Sequence, residues 1–93
     1  MPVGICHIQF QVPSSESLKD KRRVVKSLKD KLRNRFNIAI AETGGLDSWR
    51  KCELGFVSIS NDSAYLEGLI SSVIRTIESD LRVIVTDFSM EIL

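Results

Sequence analysis

Four segments of the chain alternate apolar and polar residues with a period of two, and two longer segments repeat apolar residues every three or four positions. The first pattern is typical of half-buried strands and the second of amphipathic helices. We predict strands over residues 3–12, 37–43, 52–60 and 82–92, and helices over 18–36 and within 61–79. Serines before the first helix and Asn61, Asp62 and Ser63 before the second supply capping oxygens.

The predicted order β-α-β-β-α-β is that of a ferredoxin-like α+β fold, a four-stranded antiparallel sheet with two helices on one face. A chain of 93 residues is long enough for one such domain, spanning 1–93. Gly55 interrupts the third strand and predicts a bulge there. In the fourth strand, alternation predicts one side made of Ile84, Thr86, Phe88, Met90 and Ile92, and an opposite side made of Val83, Val85, Asp87, Ser89 and Glu91.

The sheet face away from the helices is predicted to be partly apolar, because three strands keep aliphatic residues in both registers. These residues are Val3 and Ile5, then Val57 and Ile59 or Leu54 and Phe56, and finally Val83 and Val85. Monomers seldom expose a contiguous apolar patch of several hundred Å². We therefore predict a homodimer or another protein contact at this face, the alternative being isolated surface aliphatics.

The first predicted helix carries most of the positive charge of the protein. Residues 19–35 contain nine Lys or Arg against two Asp, a net +7 in a chain of net +1, so the remainder totals −6. At 3.6 residues per turn, six of the cations share an outward face: Lys19, Arg22, Arg23, Lys26, Lys29 and Arg33. Such a row suits the phosphates of a nucleic acid, RNA in our interpretation. The alternative is a solvated face that pairs with Asp20 and Asp30.

Aromatic residues for stacking RNA bases are missing from the predicted open face, where only Phe56 is a candidate. RNA contact through the helix is therefore expected to involve backbone and shape. Trp49, beside Arg50 in the segment "GGLDSWRK", is the one exposed-aromatic candidate for stacking or for a partner pocket. The alternative is an indole that folds back onto the core.

No catalytic constellation can be recognised in the chain, and we expect no enzyme, cofactor, metal site or small-molecule substrate. His7 is the single histidine and has no evident carboxylate partner, and the segment "PSSES" lacks the glycine and arginine of ferredoxin-like acylphosphatases. Cys6 and Cys52 are expected to be reduced core thiols. No apolar run approaches the roughly 20 residues of a membrane span, and no secretion signal is visible, so we predict a cytoplasmic protein.

The segments "GICHIQFQVP", "SLKDKRRVVKSL", "RFNIAIAE" and "DSWRKCELGFVSISND" resemble the bacterial YlxP-like family, a domain of unknown function. The resemblance covers essentially the whole chain and implies a ferredoxin-like fold. It also implies a link to RNA or ribosomes, because genes of this family often lie among those for translation initiation and ribosome maturation factors. It carries over no catalytic residue. Its surface-exposed motif positions are expected to be Lys19, Lys21, Arg22, Arg23, Trp49 and Arg50.

Two functions remain open from the sequence. The favoured one is a non-enzymatic protein that associates with RNA or a ribosomal particle through the basic first helix. The other is a homodimeric protein-interaction module that uses the open sheet face and has no nucleic-acid role.

Overall fold

The computed structural model describes all residues, Met1–Leu93. Its elements are β1 (Val3–Gln11), α1 (Leu18–Arg35), β2 (Ala39–Gly44), β3 (Lys51–Ile59), α2 (Ser63–Glu78) and β4 (Ile84–Ile92). All neighbouring strands pair antiparallel, in the order β2-β3-β1-β4. Both helices pack on the same side, α1 against β2 and α2 against β1 and β4. The ferredoxin-like prediction is confirmed.

The core lies between the helices and the sheet, in one cluster of 16 buried residues. Alternation decides which strand residues enter it: Cys6, Ile8 and Phe10 of β1 are buried, and so are their cross-strand partners on β3. Leu54 and Phe56 therefore belong to the core, and the interpretation that placed them on the open face is wrong. The open face of β3 carries the other register, with Val57 and Ile59 exposed.

Strand β4 departs from the predicted alternation because it contains a bulge. Gln9 pairs with Asp87 whereas Phe10 pairs with Val85, so Thr86 is an extra residue, and its hydroxyl donates to the Gln9 carbonyl at 3.2 Å. The extra residue turns Val85 towards the helices, beside buried Phe10. Val83 is buried and precedes the strand. Neither valine lies on the open face, and Ile84 has moved to that face instead.

Gly55 is regularly paired on both sides, opposite His7 on β1 and Ala41 on β2, so the bulge predicted there is absent. Glycine is required at position 55 because a side chain there would have too little space. A Cβ at Gly55 would lie 2.8 Å from the Thr43 methyl group and 3.4 Å from Nδ1 of His7. The missing side chain leaves a shallow groove across the open face.

Both helices begin at side-chain caps. Ser17 Oγ accepts the Asp20 N–H at 3.0 Å, and the Asp20 carboxylate accepts the N–H of Glu16 in return at 3.2 Å. Asp62 caps α2 by accepting the Ala64 N–H at 2.9 Å. The polar residues that the sequence offered before each helix therefore fix its first turn. Neither helix combines the length and the apolarity required to cross a bilayer.

Candidate nucleic-acid interface

Helix α1 presents the six predicted cations along one flank. Its inward-facing stripe contains four buried residues: the apolar Val25, Leu28 and Leu32, and Lys21 among them. Projection at about 100° per residue puts the six cations together on the flank beside that stripe. They are Lys19, Arg22, Arg23, Lys26, Lys29 and Arg33, and we call them the α1 arc. Five are exposed and Lys29 is half-buried. The helix spans all six positions, as the predicted clustering requires.

The α1 arc borders the outer strand β2. Arg33 donates from Nη2 to the Ile40 carbonyl of β2 at 3.1 Å, which directs its guanidinium over that edge of the sheet. The arc therefore follows the side of the molecule formed by α1 and β2, away from α2.

Only one acid lies within the α1 arc. Asp30 accepts from Lys26 Nζ at 2.9 Å and lies 3.8 Å from Arg33, and the hydrogen bond from Lys26 holds the pKa of Asp30 below its usual range. Lys19, Arg22, Arg23 and Lys29 have no hydrogen-bonding or ion-pairing side-chain partner. Six cations against one carboxylate leave the arc at net +5. The pairing of Lys26 is exposed, and pairs of that kind contribute at most about 1 kcal/mol, so an incoming anion can replace Asp30.

Most acidic residues of the molecule lie on other surfaces. Glu53, Asp87 and Glu91 occupy the open sheet face, and Glu67 and Glu78 are exposed on α2. The electrostatic field is therefore directional, positive along α1 and negative across the sheet and the second helix.

Lys21 corrects the expectation of an exposed motif position. It is 0% exposed, and its Nζ donates to the carbonyl of Gly45 and, at 3.2 Å, to that of Lys51. The same Nζ lies 3.5 Å from Oε2 of Glu42. Position 21 precedes Val25 by four residues and so falls on the buried stripe, which is the sequence signal that could have placed it inside. Lys21 joins α1 to both ends of the β2–β3 connection.

Glu42 also accepts from the Cys52 thiol at 3.7 Å. Burial, with the charge of Glu42, raises the pKa of Cys52 to about 12, and burial raises that of Cys6 to about 11. Both cysteines are free and buried, as expected from the sequence. Thiols held protonated in this way are poor nucleophiles. The cluster around Lys21 has a structural role, because it connects α1 to β2 and β3.

Trp49 and Arg50 lie in the connection 45–50 between β2 and β3. The indole is 56% exposed, so the alternative in which it folds back onto the core is wrong. Arg50 is exposed and donates from Nε to the Ser15 carbonyl at 3.0 Å, which ties the connection to the segment before α1. Lys51, the next residue along the chain, adds a third exposed side chain beside Trp49 and Arg50.

The open sheet face is the second surface of interest. Its groove, about 340 Å³ in volume, runs over Gly55 between Ile5, Ala41 and Val57. Val57 is 39% exposed and Ile59 59%. His7 lies on this face with Nδ1 3.9 Å from Glu53, whose pKa is lowered first by hydrogen bonds from Thr43 and Gln9 and then by His7. The predicted apolar residues of β1 and β3 are confirmed here.

Comparison with solved structures supports the fold. A de novo designed protein with a ferredoxin fold, LFR1 1, superposes with a TM-score of 0.57 at 16% identity, covering 99% of this chain and 84% of the design. The de novo designed protein Foldit4 superposes with a TM-score of 0.55 at 13% identity over 98% of this chain and 96% of the design. Identities this low establish a shared fold and nothing about function.

Comparison of sequences identifies a natural relative. The chain is 29% identical over 77 residues to the Bacillus subtilis (strain 168) protein described as "Uncharacterized protein YlxP", covering 83% of this chain and 84% of that protein. Residues 3–90 match the family described as "Protein of unknown function (DUF503)". The match takes in every strand and helix apart from the last residues of β4. The chain therefore belongs to the DUF503 family, as its resemblance to YlxP-like proteins implied.

Proposed function

We propose that this protein is a non-enzymatic cytoplasmic factor that binds RNA, free or within a ribosomal particle, through the α1 arc. The observation that carries the proposal is a row of exposed cations with one carboxylate among them. Lys19, Arg22 and Arg23 have no anionic side chain to neutralise them. Lys26 loses little interaction free energy when it leaves Asp30, because that ion pair is exposed. Phosphate groups supply the missing counter-charge.

The length of the arc suits a phosphate chain better than a small anion. Lys19 and Arg33 are separated by fourteen residues of α1, about 21 Å at 1.5 Å per residue. Cations spread over that distance reach several phosphates in succession. Each neutralised phosphate releases counterions, so affinity is expected to fall with salt at a slope of about −0.7 to −0.9 per contact in log-log form.

Charge reversal with a matched control tests the proposal. The arc variant replaces Arg22, Arg23 and Lys26 by Glu, and the control replaces Lys31, Arg35 and Arg75, which are exposed outside the arc, by Glu. Both variants change net charge equally. Binding of ribosomal RNA and of isolated ribosomal particles is measured over a series of salt concentrations. We expect the arc variant to lose at least about tenfold in affinity and most of its salt slope.

The control separates a defined site from general attraction to a positive molecule. If both variants weaken binding equally, the arc is not the site. Absence of binding to RNA and particles at low salt by the unmodified protein contradicts the proposal altogether.

A second candidate function, a homodimeric interaction module without a nucleic-acid role, is favoured by the groove and by the exposed Val57 and Ile59. Sedimentation velocity distinguishes it. A dimer that Ile59→Glu dissociates, together with no RNA binding, supports the module. A 10.5 kDa species at all concentrations removes the homodimer.

A further inference from the structure

Trp49 is the only tryptophan of the chain, and its indole is more than half exposed at the connection between β2 and β3. Large aromatic side chains usually bury most of their surface in a core or against a ligand. This chain covers less than half of the Trp49 surface. An exposed aromatic group beside exposed Arg50 and Lys51 is the composition of a stacking site for nucleobases.

The connection that carries Trp49 is held from both ends. Lys21 bridges the carbonyls of Gly45 and Lys51, and Ser48 Oγ accepts the Lys51 N–H at 3.0 Å. The Ser48 N–H in turn donates to the Gly45 carbonyl at 3.0 Å. Because these bonds already fix the backbone, a ligand that stacks on the indole orders little additional chain. The backbone that carries the indole is therefore ordered before any ligand binds.

The same bonds place the connection that carries Trp49 beside the first turns of α1, where the α1 arc begins. Lys21 belongs to the first turns of α1, between Lys19 and Arg22 of the arc, and its ammonium group touches both ends of the Trp49 connection. Arg50 adds a hydrogen bond to the segment before α1. A polyanion that follows the arc from Arg33 towards Arg22 therefore ends near the connection that carries this exposed aromatic residue.

We propose that the site takes single-stranded RNA, with phosphates along the α1 arc and an unpaired base stacked on Trp49. This inference rests on the proposed function for its phosphate contacts and adds the strandedness of the ligand. Bases within a duplex are stacked on one another and offer no face to a protein ring, whereas single-strand readers use aromatic side chains in this way.

The sole tryptophan reports its own contact. Intrinsic fluorescence is followed while the protein is titrated with a short oligouridylate, with an abasic oligomer of the same phosphate count, and with an RNA duplex of the same length. We expect quenching by the oligouridylate and none by the abasic oligomer, which still binds through its phosphates. Because the variants have no tryptophan, affinities are measured by the fluorescence anisotropy of labelled oligomers. Trp49→Ala is expected to weaken oligouridylate binding by about tenfold, equivalent to about 1.4 kcal/mol, whereas Trp49→Phe keeps most of the affinity.

Salt dependence separates stacking from charge. Because Trp49→Ala removes no phosphate contact, its salt slope is expected to match that of the unmodified protein, while its affinities for the abasic oligomer and the duplex stay unchanged. Circular dichroism checks that the exposed residue can be replaced without loss of fold.

The outcomes of the two proposals can be told apart. Equal affinity of Trp49→Ala and the unmodified protein for the oligouridylate overturns the stacking inference, and so does equal quenching by the duplex. The arc proposal survives that result if replacing Arg22, Arg23 and Lys26 by Glu still weakens binding by at least about tenfold. Failure of all three oligomers to bind at low salt overturns the stacking inference, and the arc proposal is overturned as well only if ribosomal RNA and ribosomal particles also fail to bind.

Discussion

Replacement of buried Lys21 by methionine is the most informative perturbation of this fold. Methionine fills similar space but has no ammonium group. The change removes the hydrogen bonds to the carbonyls of Gly45 and Lys51, and it leaves the carboxylate of Glu42 without the cation that lies 3.5 Å away. Glu42 is 15% exposed, so water reaches it only in part.

The expected cost follows from these contacts. A hydrogen bond from a charged donor is worth about 1.5–3 kcal/mol, and breaking a buried ion pair typically costs about 3–5 kcal/mol. The desolvation of Lys21 is no longer required in the variant, which offsets part of the loss. We expect Lys21→Met to lower the free energy of unfolding by about 3 kcal/mol, a large share of the roughly 5–14 kcal/mol typical of a domain this size.

Urea unfolding measures this loss. Fluorescence of Trp49 reports the connection that Lys21 holds, and far-UV circular dichroism reports the helices and the sheet. At about 1.5 kcal/mol per M, within the usual range for small proteins, the midpoint is expected to fall by about 2 M. Coincidence of the two transitions indicates a global effect, whereas early loss of the fluorescence signal indicates local opening of the connection.

Two further variants test whether the buried ammonium group of Lys21 joins these elements. Lys19→Met removes an exposed lysine two residues earlier in α1 and is expected to change stability by less than about 0.5 kcal/mol. The double variant Lys21→Met with Glu42→Leu is expected to lose less stability than the two single variants together. The difference, their pairwise coupling energy, is expected to be at least about 1 kcal/mol. If Lys21→Met unfolds at the same urea concentration as Lys19→Met, the buried ammonium does not join these elements.

Two other positions give independent tests by urea unfolding. Gly45 has φ of +72°, and a Cβ there would lie 2.5 Å from a backbone carbonyl oxygen of β3, so Gly45→Ala is expected to cost about 1–3 kcal/mol; Gly68→Ala, in open space on α2, is the control and is expected to stabilise by up to about 1 kcal/mol. Arg82 donates to Asp80 at 2.7 Å and holds the pKa of that carboxyl below its usual value. The stabilisation is therefore present above the ordinary pKa and is lost as pH falls through the lowered one, so Asp80→Asn is expected to cost about 1 kcal/mol at neutral pH and less at acid pH. An equal cost at both pH values contradicts that assignment.

Local patterns predicted the elements and most of the candidate interface. Alternation along β1 and β3 and the three- to four-residue spacing in both helices follow from geometry internal to each element, so they are visible in the sequence. The α1 arc is of the same kind, because helical spacing alone places Lys19 beside Arg22 and Arg23. The exposure of these three side chains in the structure agrees with that projection.

The errors have in common that they depend on contacts between distant parts of the chain. One extra residue at Thr86 changed the sides of Ile84 and Val85, and the offset arises only when β4 pairs with β1. Gly55 was interpreted as a bulge, whereas its lack of a side chain makes room for Thr43 and His7 on neighbouring strands. Neither effect is encoded in the periodicity of a single strand.

The sequence by itself determined the ferredoxin-like order of elements and the concentration of charge on the first helix, because both depend on residues close together along the chain. Helical spacing placed Lys21 on the apolar stripe of α1, but only tertiary structure decided that its charged group is buried there and that Trp49 is exposed. A lysine enters the interior only where the fold brings acceptors to it, here two carbonyls and one carboxylate from β2, β3 and the connection between them. An indole stays in water only where no other element covers it.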